Sequence, residues 1–275
     1  MPFASRGRCE PVSVPGADAH NVQRALGTER TYFELGARIE QLPGAIFAWM
    51  PGLTASPGGA VVHRVQQEVV ASLGQPWIDQ AEDAFAAVGA GLARIYVDQR
   101  DSAADRAFRA AGYVPRDELV FVHSLPEPSA GVTLRPVVKQ EDWSDKLRLH
   151  EAVESPPDGH QTSALEWVEL EQRKCSAGME AFLAETDGEV VGAIGAVWGD
   201  EILRLKNLVV RPDRRRRAVG QAMICATAAM GKERGIGRQC VFAVRGEAGE
   251  FLYRAAGMHV AGIQVEWSKP LPRGH

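Results

Sequence analysis

Ten residues, Pro212-Asp213-Arg214-Arg215-Arg216-Arg217-Ala218-Val219-Gly220-Gln221, join four consecutive guanidinium groups to small side chains at 218 and 220. That composition suits an anion. Arginine forks give charge-assisted hydrogen bonds to phosphate oxygens, and a helix starting here would aim its first N–H groups and its dipole at the same ligand. Two other phosphate loops are missing: the chain has no GxxxxGK[ST] and no GxGxxG after a strand. A second irregularity precedes the run. In Ile202–Val210, apolar residues alternate at Leu203 and Leu205 and again at Leu208 and Val210, but the step from 205 to 208 is three rather than two. One extra residue at Lys206-Asn207 restores the facing, and that is a β-bulge; a strand fraying into a loop gives the same spacing. A bulge splays a strand from its neighbour and frees backbone groups for a ligand. Taken alone, four arginines read as a solvated turn or a nucleic-acid patch. Their place between a strand and a helix points instead to a small polyanion.

Other chemistry is poorly served. The seven His residues include no HxxxH pair and no His–Cys cluster at ligand spacing, so no metal is expected. Cys9, Cys175, Cys225 and Cys240 form no CxxC and read as reduced thiols of a cytoplasmic protein. No nucleophilic Cys or Ser has a partnered His in a recognisable motif.

The elements that must hold these residues follow from pattern. The chain has 275 residues, 45% hydrophobic and 24% charged, which is a globular composition with room for two domains. No window approaches ~18 apolar residues, so no membrane span is expected, and Met1–His20 lacks the apolar core of a secretory signal. Residues 1–131 hold 11 Arg, no Lys and 15 acids, whereas residues 132–275 balance 20 bases against 20 acids. An acidic first half and a local basic cluster argue against a broad nucleic-acid face.

In the second half, Val132–Val137 predicts a strand, and Gln140–Val153 and Ser163–Cys175 predict helices. Glu180–Thr186 and Glu189–Val197 predict a hairpin about Asp187-Gly188, a dipeptide favoured in two-residue turns. After the strand Ile202–Val210, the residues Val219, Met223, Ala226 and Met230 mark one helical face. Strand Arg238–Val244, helix Glu247–Ala256 and strand Gly262–Ser268 complete the series. An internal repeat joins the halves: Ala93–Tyr113 aligns with Arg238–Met258 at an offset of 145 residues, each a strand, a polar turn and a helix ending in Arg-Ala-Ala-Gly. With the linker-like Pro126–Gly131 between them, the expected organisation is an arm (1–17), a first domain (18–128) and a second of the same fold (132–275). Each is expected to be a mixed α/β (α+β) unit, a mainly antiparallel twisted sheet flanked by helices.

At Arg215-Arg216-Arg217-Ala218-Val219-Gly220 and Leu252-Tyr253-Arg254-Ala255-Ala256-Gly257-Met258 the chain resembles the GNAT (acyl-CoA N-acyltransferase) superfamily. The first segment fits that family's Arg/Gln-x-x-Gly-x-Gly/Ala phosphate motif, with Ala218 in place of the first Gly; the second fits its Leu-Tyr-x-x-x-Gly-Phe. The resemblance spans about residues 132–270 and implies two tandem GNAT-like domains. It implies an N-acetyltransferase that moves an acetyl group from acetyl-CoA to a primary amine by direct attack. A non-catalytic acyl-CoA sensor is the competing reading. Cofactor contacts would come from Arg215, Arg216, Arg217, Ala218, Val219, Gly220 and Gln221, and an oxyanion site from the backbone near Leu208, Val209 and Val210. Tyr253 would protonate the departing thiolate. Where some relatives carry a basic carboxylate on the bulged strand, this chain has Arg204, with Glu201 nearby. Glu151, Asp158 and His160 stand where the family grips its acceptor, or simply solvate a loop. The first half has Phe108 in place of the tyrosine and no phosphate motif, and is expected to be a worn copy walling the acceptor site. The implied partners are acetyl-CoA and an amine, without nucleic acid or membrane; association as a homodimer is compatible with the reading.

Overall fold

The computed structural model describes residues 16–56, 58–126, 131–153 and 163–272. The first half runs α1 (Gly16–Glu34), β1 (Arg38–Leu42), β2 (Ala45–Trp49), β3 (Ala60–His63), α2 (Gln67–Leu73), α3 (Gln75–Ala87), β4 (Leu92–Val97), α4 (Ser102–Ala110) and β5 (Val114–Ser124). The second runs β6 (Thr133–Pro136), α5 (Gln140–Ala152), α6 (Ala164–Ser176), β7 (Glu180–Thr186), β8 (Glu189–Trp198) and β9 (Ile202–Val210). It closes with α7 (Val219–Glu233), β10 (Arg238–Val244), α8 (Ala248–Ala255) and β11 (His259–Pro270). The last two residues of the expected arm, Gly16 and Ala17, already belong to α1; the rest of the arm and residues 127–130 of the linker lie outside the described residues.

Local chemistry sets many of these boundaries. Ser163 and Glu166 form a reciprocal capping box on α6, with Glu166 N–H donating to Ser163 Oγ (3.1 Å) and Ser163 N–H to Glu166 Oε2 (2.9 Å). Asp187 and Gly188 both take positive φ, 52° and 78°, as a two-residue turn joining twisted strands requires. The repeat is literal at the ends of α4 and α8. Gly112 (φ 85°) and Gly257 (φ 81°) sit just past each helix, and Tyr113 and Met258 donate back to Phe108 O and Tyr253 O, both at 3.0 Å. These are two copies of one glycine C-cap.

The eleven strands among the described residues form one sheet, in the order β1-β2-β3-β4-β11-β5-β10-β9-β8-β7-β6. One sheet per half was expected from the sequence. They are continuous because each half's last strand pairs inside the other: β5 lies between β10 and β11, and β11 between β4 and β5, all antiparallel. Aromatic side chains are exchanged with the strands. Trp267 of β11 is buried against Phe108 of the first half (5.2 Å between centroids), while Phe121 of β5 packs on Tyr253 of the second (5.8 Å).

Alternation divides the second half into two layers. Phe182, Ala184, Ile194, Leu203 and Leu205 face α7 and α8, in one cluster with Met223, Ile224 and Tyr253. Ala181, Leu183 and Ala193 face α5 and α6, and Val120, Val122, Ile202 and Cys240 of the same sheet face Ala25 of α1. Helix α1 therefore crosses from the first half to cover the second half's sheet.

Candidate active site

The irregular step in β9 is a bulge. Lys206 registers with Gly195 and Val209 with Ala193, so Asn207 and Leu208 together oppose Ile194. Asn207 takes the left-handed conformation (φ 50°) that absorbs the extra residue. Leu208 and Val210 rejoin the α7-side cluster while Val209 turns to the other face. The bulge is held from the α6 side: Asn207 Nδ2 donates to Glu171 Oε1 at 2.8 Å. Glu171 is fully buried beside Lys146 Nζ (3.1 Å) and His150 Nε2 (3.6 Å). Burial opposes its ionisation, but Lys146, His150 and Asn207 overcome that and hold its carboxyl below the usual range.

Strand β10 runs parallel to β9 only from Arg238↔Ile202 to Cys240↔Arg204, then parts from it while staying paired with β5 as far as Val244↔Glu118. The opening lies at the bulge. Antiparallel alternation sets Val209 toward β8, as does the bond from Arg211 N–H to Val191 O (2.9 Å), and therefore turns the Leu208 and Val210 amides toward the opening. Two of the three expected oxyanion residues thus present their amides; Val209 does not, because its backbone completes the ladder with Ala193.

The arginine run divides its labour. Arg211 and Arg214 bind Glu189 and Asp213 and build the turn. Arg215, Arg216 and Arg217 are exposed, and among the described residues none of the three is in an ion pair; Arg215 Nε donates to Val210 O at 3.3 Å. Arg216 and Ala218 both take positive φ (58° and 59°), so Ala218 adopts the left-handed geometry usually left to glycine. Helix α7 starts next. Ala222 N–H donates to Ala218 O (2.9 Å), which leaves the N–H groups of Val219, Gly220 and Gln221 without an intrahelical acceptor. Gly220 also serves packing: a Cβ there would meet Leu252 Cδ1 at 3.0 Å. Gln221 Nε2 donates to Ala255 O (2.8 Å), tying α7 to α8.

Tyr253 lies buried on α8 against Phe121, in one cluster with Ala243 of β10, which is beyond the point where β10 leaves β9. Its hydroxyl has no hydrogen-bond partner among the described residues. Burial pushes its pKa up to about 12, against a smaller opposing pull from Arg204, so it keeps its proton at neutral pH. Phe108, at the repeat-equivalent place, is sealed among Trp77, Tyr113 and Trp267 and offers no hydroxyl.

The remaining candidates are dispersed. Arg204 is buried in an ion pair with Glu29 of α1, Glu201 pairs with Arg24, and Glu151 is exposed on α5. Asp158 and His160 lie outside the described residues. Sequence reasoning missed Glu29 and Glu118, both contributed by the first half. The signal available for Glu118 was its place in period two with the apolar Val120 and Val122, which marks an inward-facing charge. Two of the open cavities lie away from these candidates. One of about 580 Å³ adjoins the ends of β3 and β4 and includes Arg30, Gln67, Asp98 and Arg100; one of about 470 Å³ includes Arg135, Asp145, Glu185 and Arg211. Neither is lined by Tyr253 or by residues 215–221.

Residues 177–257 match the family model described as an acetyltransferase (GNAT) domain. No curated protein matches the chain significantly. Among solved structures, a GCN5-related N-acetyltransferase from Kribbella flavida aligns with a TM-score of 0.63 at 15% identity, covering 91% of this chain and 96% of that one. A tandem GNAT protein from the clavulanic acid biosynthesis pathway aligns at 0.55 and 11% identity, over 92% and 97%. A conserved protein of unknown function from Staphylococcus epidermidis aligns at 0.65 and 11%, over 86% and 96%. At these identities the likeness is one of fold.

Proposed function

We propose that this protein, a member of the GNAT superfamily with the tandem GNAT fold, is an acetyltransferase that moves an acetyl group from acetyl-CoA to a primary amine. The observation that carries the reading is the parting of β9 and β10 at the Asn207 bulge, with unpaired amides on one side and a protonated phenol near the other.

The pieces fit an acyl-CoA substrate. The N–H groups of Val219–Gln221 and the exposed Arg215–Arg217 are suited to hold its pyrophosphate. The Leu208 and Val210 amides would polarise the thioester carbonyl and stabilise the oxyanion formed when a neutral amine attacks. Tyr253 would give its proton to the departing thiolate, help worth roughly 10²–10⁴-fold. No covalent enzyme intermediate is required. The first half supplies a strand and a covering helix, and has Phe108 at the place of Tyr253, as a worn copy would. Among the described residues no helix is long and apolar enough to cross a membrane. The free thiols of Cys175, Cys225 and Cys240 suit a reducing cytoplasm.

Calorimetric titration with acetyl-CoA tests the binding step. One site per chain is expected, weakened at least tenfold when Arg215, Arg216 and Arg217 are all changed to Gln. A panel of primary amines then tests transfer. Binding without turnover on any amine would identify a non-catalytic acyl-CoA sensor, and no binding would overturn both readings.

A further inference from the structure

We infer that Glu118, on the strand that the first half inserts into the second half's sheet, is the base that takes the proton from the acceptor ammonium. This rests on the acetyltransferase reading above, and it names the residue that Arg204 cannot be.

The argument is one of level and face. Glu118 registers with Val244 of β10. Carried forward four levels, with Asn207 and Leu208 sharing one at the bulge, the parallel register Cys240↔Arg204 sets Val244 level with Val209, between the open amides of Leu208 and Val210. Glu118 therefore stands in the row of the oxyanion donors, two strands from β9 and across the opening, at least about 10 Å away by ordinary strand spacing. The strand alternates, so Glu118 shares the face of Val120 and Val122, the side covered by α1. Tyr253 lies on the opposite face. A base and an acid on opposite faces of the opening suit an amine arriving from one side and a thiolate leaving on the other.

Its surroundings favour a proton acceptor over a structural ion pair. Glu118 is half-buried, and among the described residues its carboxylate makes no salt bridge, unlike Glu29, Glu171 and Glu266. The charged groups that face it are Glu266 of β11, Glu29 of α1, Lys206 of β9 and Arg116 of β5. Burial first, then Glu266 and Glu29, push its carboxyl up to about 7, with Lys206 and Arg116 opposing. Directly across β11 is Gln264, buried, whose Nε2 reaches Asp98 (3.3 Å) and whose Oε1 has no partner. A buried acceptor left unpaired beside a carboxyl is the counterpart of an N–H donor.

The protons balance. Glu118 takes one from R–NH3⁺, the freed lone pair forms the C–N bond, and Glu118 passes that proton to water. The C–S bond breaks as Tyr253 protonates the sulfur. The second nitrogen proton, lost as the amide forms, restores the tyrosine. The net products are the amide, the free thiol and one H⁺.

The test compares wild type with Glu118→Gln and Glu118→Asp, using the best primary amine of the panel. Wild-type kcat/KM should show a limb that rises with pH through a midpoint near 7 to a plateau above it. Glu118→Gln should lose about 100-fold or more and that limb with it, while binding acetyl-CoA normally, and Glu118→Asp should recover part of the rate. Melting temperature gives a readout apart from activity. A carboxyl raised in the fold destabilises it once ionised, so Glu118→Gln should melt a few degrees higher than wild type at pH 8 and not at pH 4. A Gln variant within threefold of wild type, or one that keeps the limb, overturns the assignment and leaves the acetyltransferase reading standing. A wild-type protein that binds acetyl-CoA but acetylates no amine overturns both.

Discussion

Arg204 and Glu29 meet in the interior, where Nε and Nη2 of the arginine both donate to Oε2 of the glutamate, at 3.0 and 2.7 Å. The arginine belongs to the bulged strand and the glutamate to α1 of the first half, so this pair joins the two halves at the site. Lys206 Nζ approaches the other carboxylate oxygen at 3.4 Å, and the Arg204 guanidinium lies 4.0 Å over Phe242. Burial opposes the ionised carboxylate, but Arg204 and Lys206 overcome it and hold the Glu29 pKa below the ordinary value.

Removing one partner should cost more than removing both. Glu29→Leu leaves the buried Arg204 and the partly buried Lys206 without their carboxylate, and we expect it to destabilise by about 3–5 kcal/mol, as is usual when one half of a buried pair is deleted. Glu29→Leu with Arg204→Leu should be closer to wild type than either single variant. Urea denaturation of the four proteins measures this, and additive losses would refute the pairing.

Tyr253→Phe should lower kcat by about 10²–10⁴-fold with little change in acetyl-CoA affinity. Because burial raises the phenol to about 12, the wild-type rate should show no tyrosine ionisation below pH 10. Rapid-mix kinetics with calorimetry separates the two effects. An unchanged rate would remove Tyr253 from the chemistry.

Ala218 carries φ 59° where a side chain is strained, at roughly 1–2 kcal/mol for a non-glycine residue. Ala218→Gly relieves that strain but frees the unfolded chain, an offset of ~0.4–1 kcal/mol. The variant should therefore be as stable as wild type or up to about 1 kcal/mol better, with acetyl-CoA affinity kept. Ala218→Val should lose both stability and affinity. Thermal melts and titration of the two variants decide this.

His63 should make the fold acid-sensitive. It is buried on β3, its ring 5.4 Å from Phe33, and neither ring nitrogen has a hydrogen-bond partner among the described residues. Burial, with Arg64 and Arg30, lowers its pKa to about 4. The unfolded chain then binds a proton at a higher pH than the fold does. Stability is fully present above pH 6.5 and is lost as pH falls toward 4, by up to about 3 kcal/mol. His63→Leu should flatten that part of the stability curve; an unchanged slope would mean that other groups govern it.

Local chemistry was legible from the residues themselves. The three-residue step in Ile202–Val210 betrayed the bulge because side-chain facing has period two, and Asp187-Gly188 betrayed its turn because two positive φ angles suit few other pairs. The duplicated Arg-Ala-Ala-Gly endings foretold matching helix caps, each closed by bonds spanning only a few residues. All of these are decided within one element and its flanks. Tertiary structure alone decided which strands became neighbours. Alternation says that Glu118 faces inward, yet nothing in Val114–Ser124 says that its flanking strands are β10 and β11, more than a hundred residues later. The same holds for Glu29 and Arg204, whose attraction operates only once α1 lies across β9. An ion pair or a site shared between halves is a property of through-space distance, and a single sequence records spacing only along the chain.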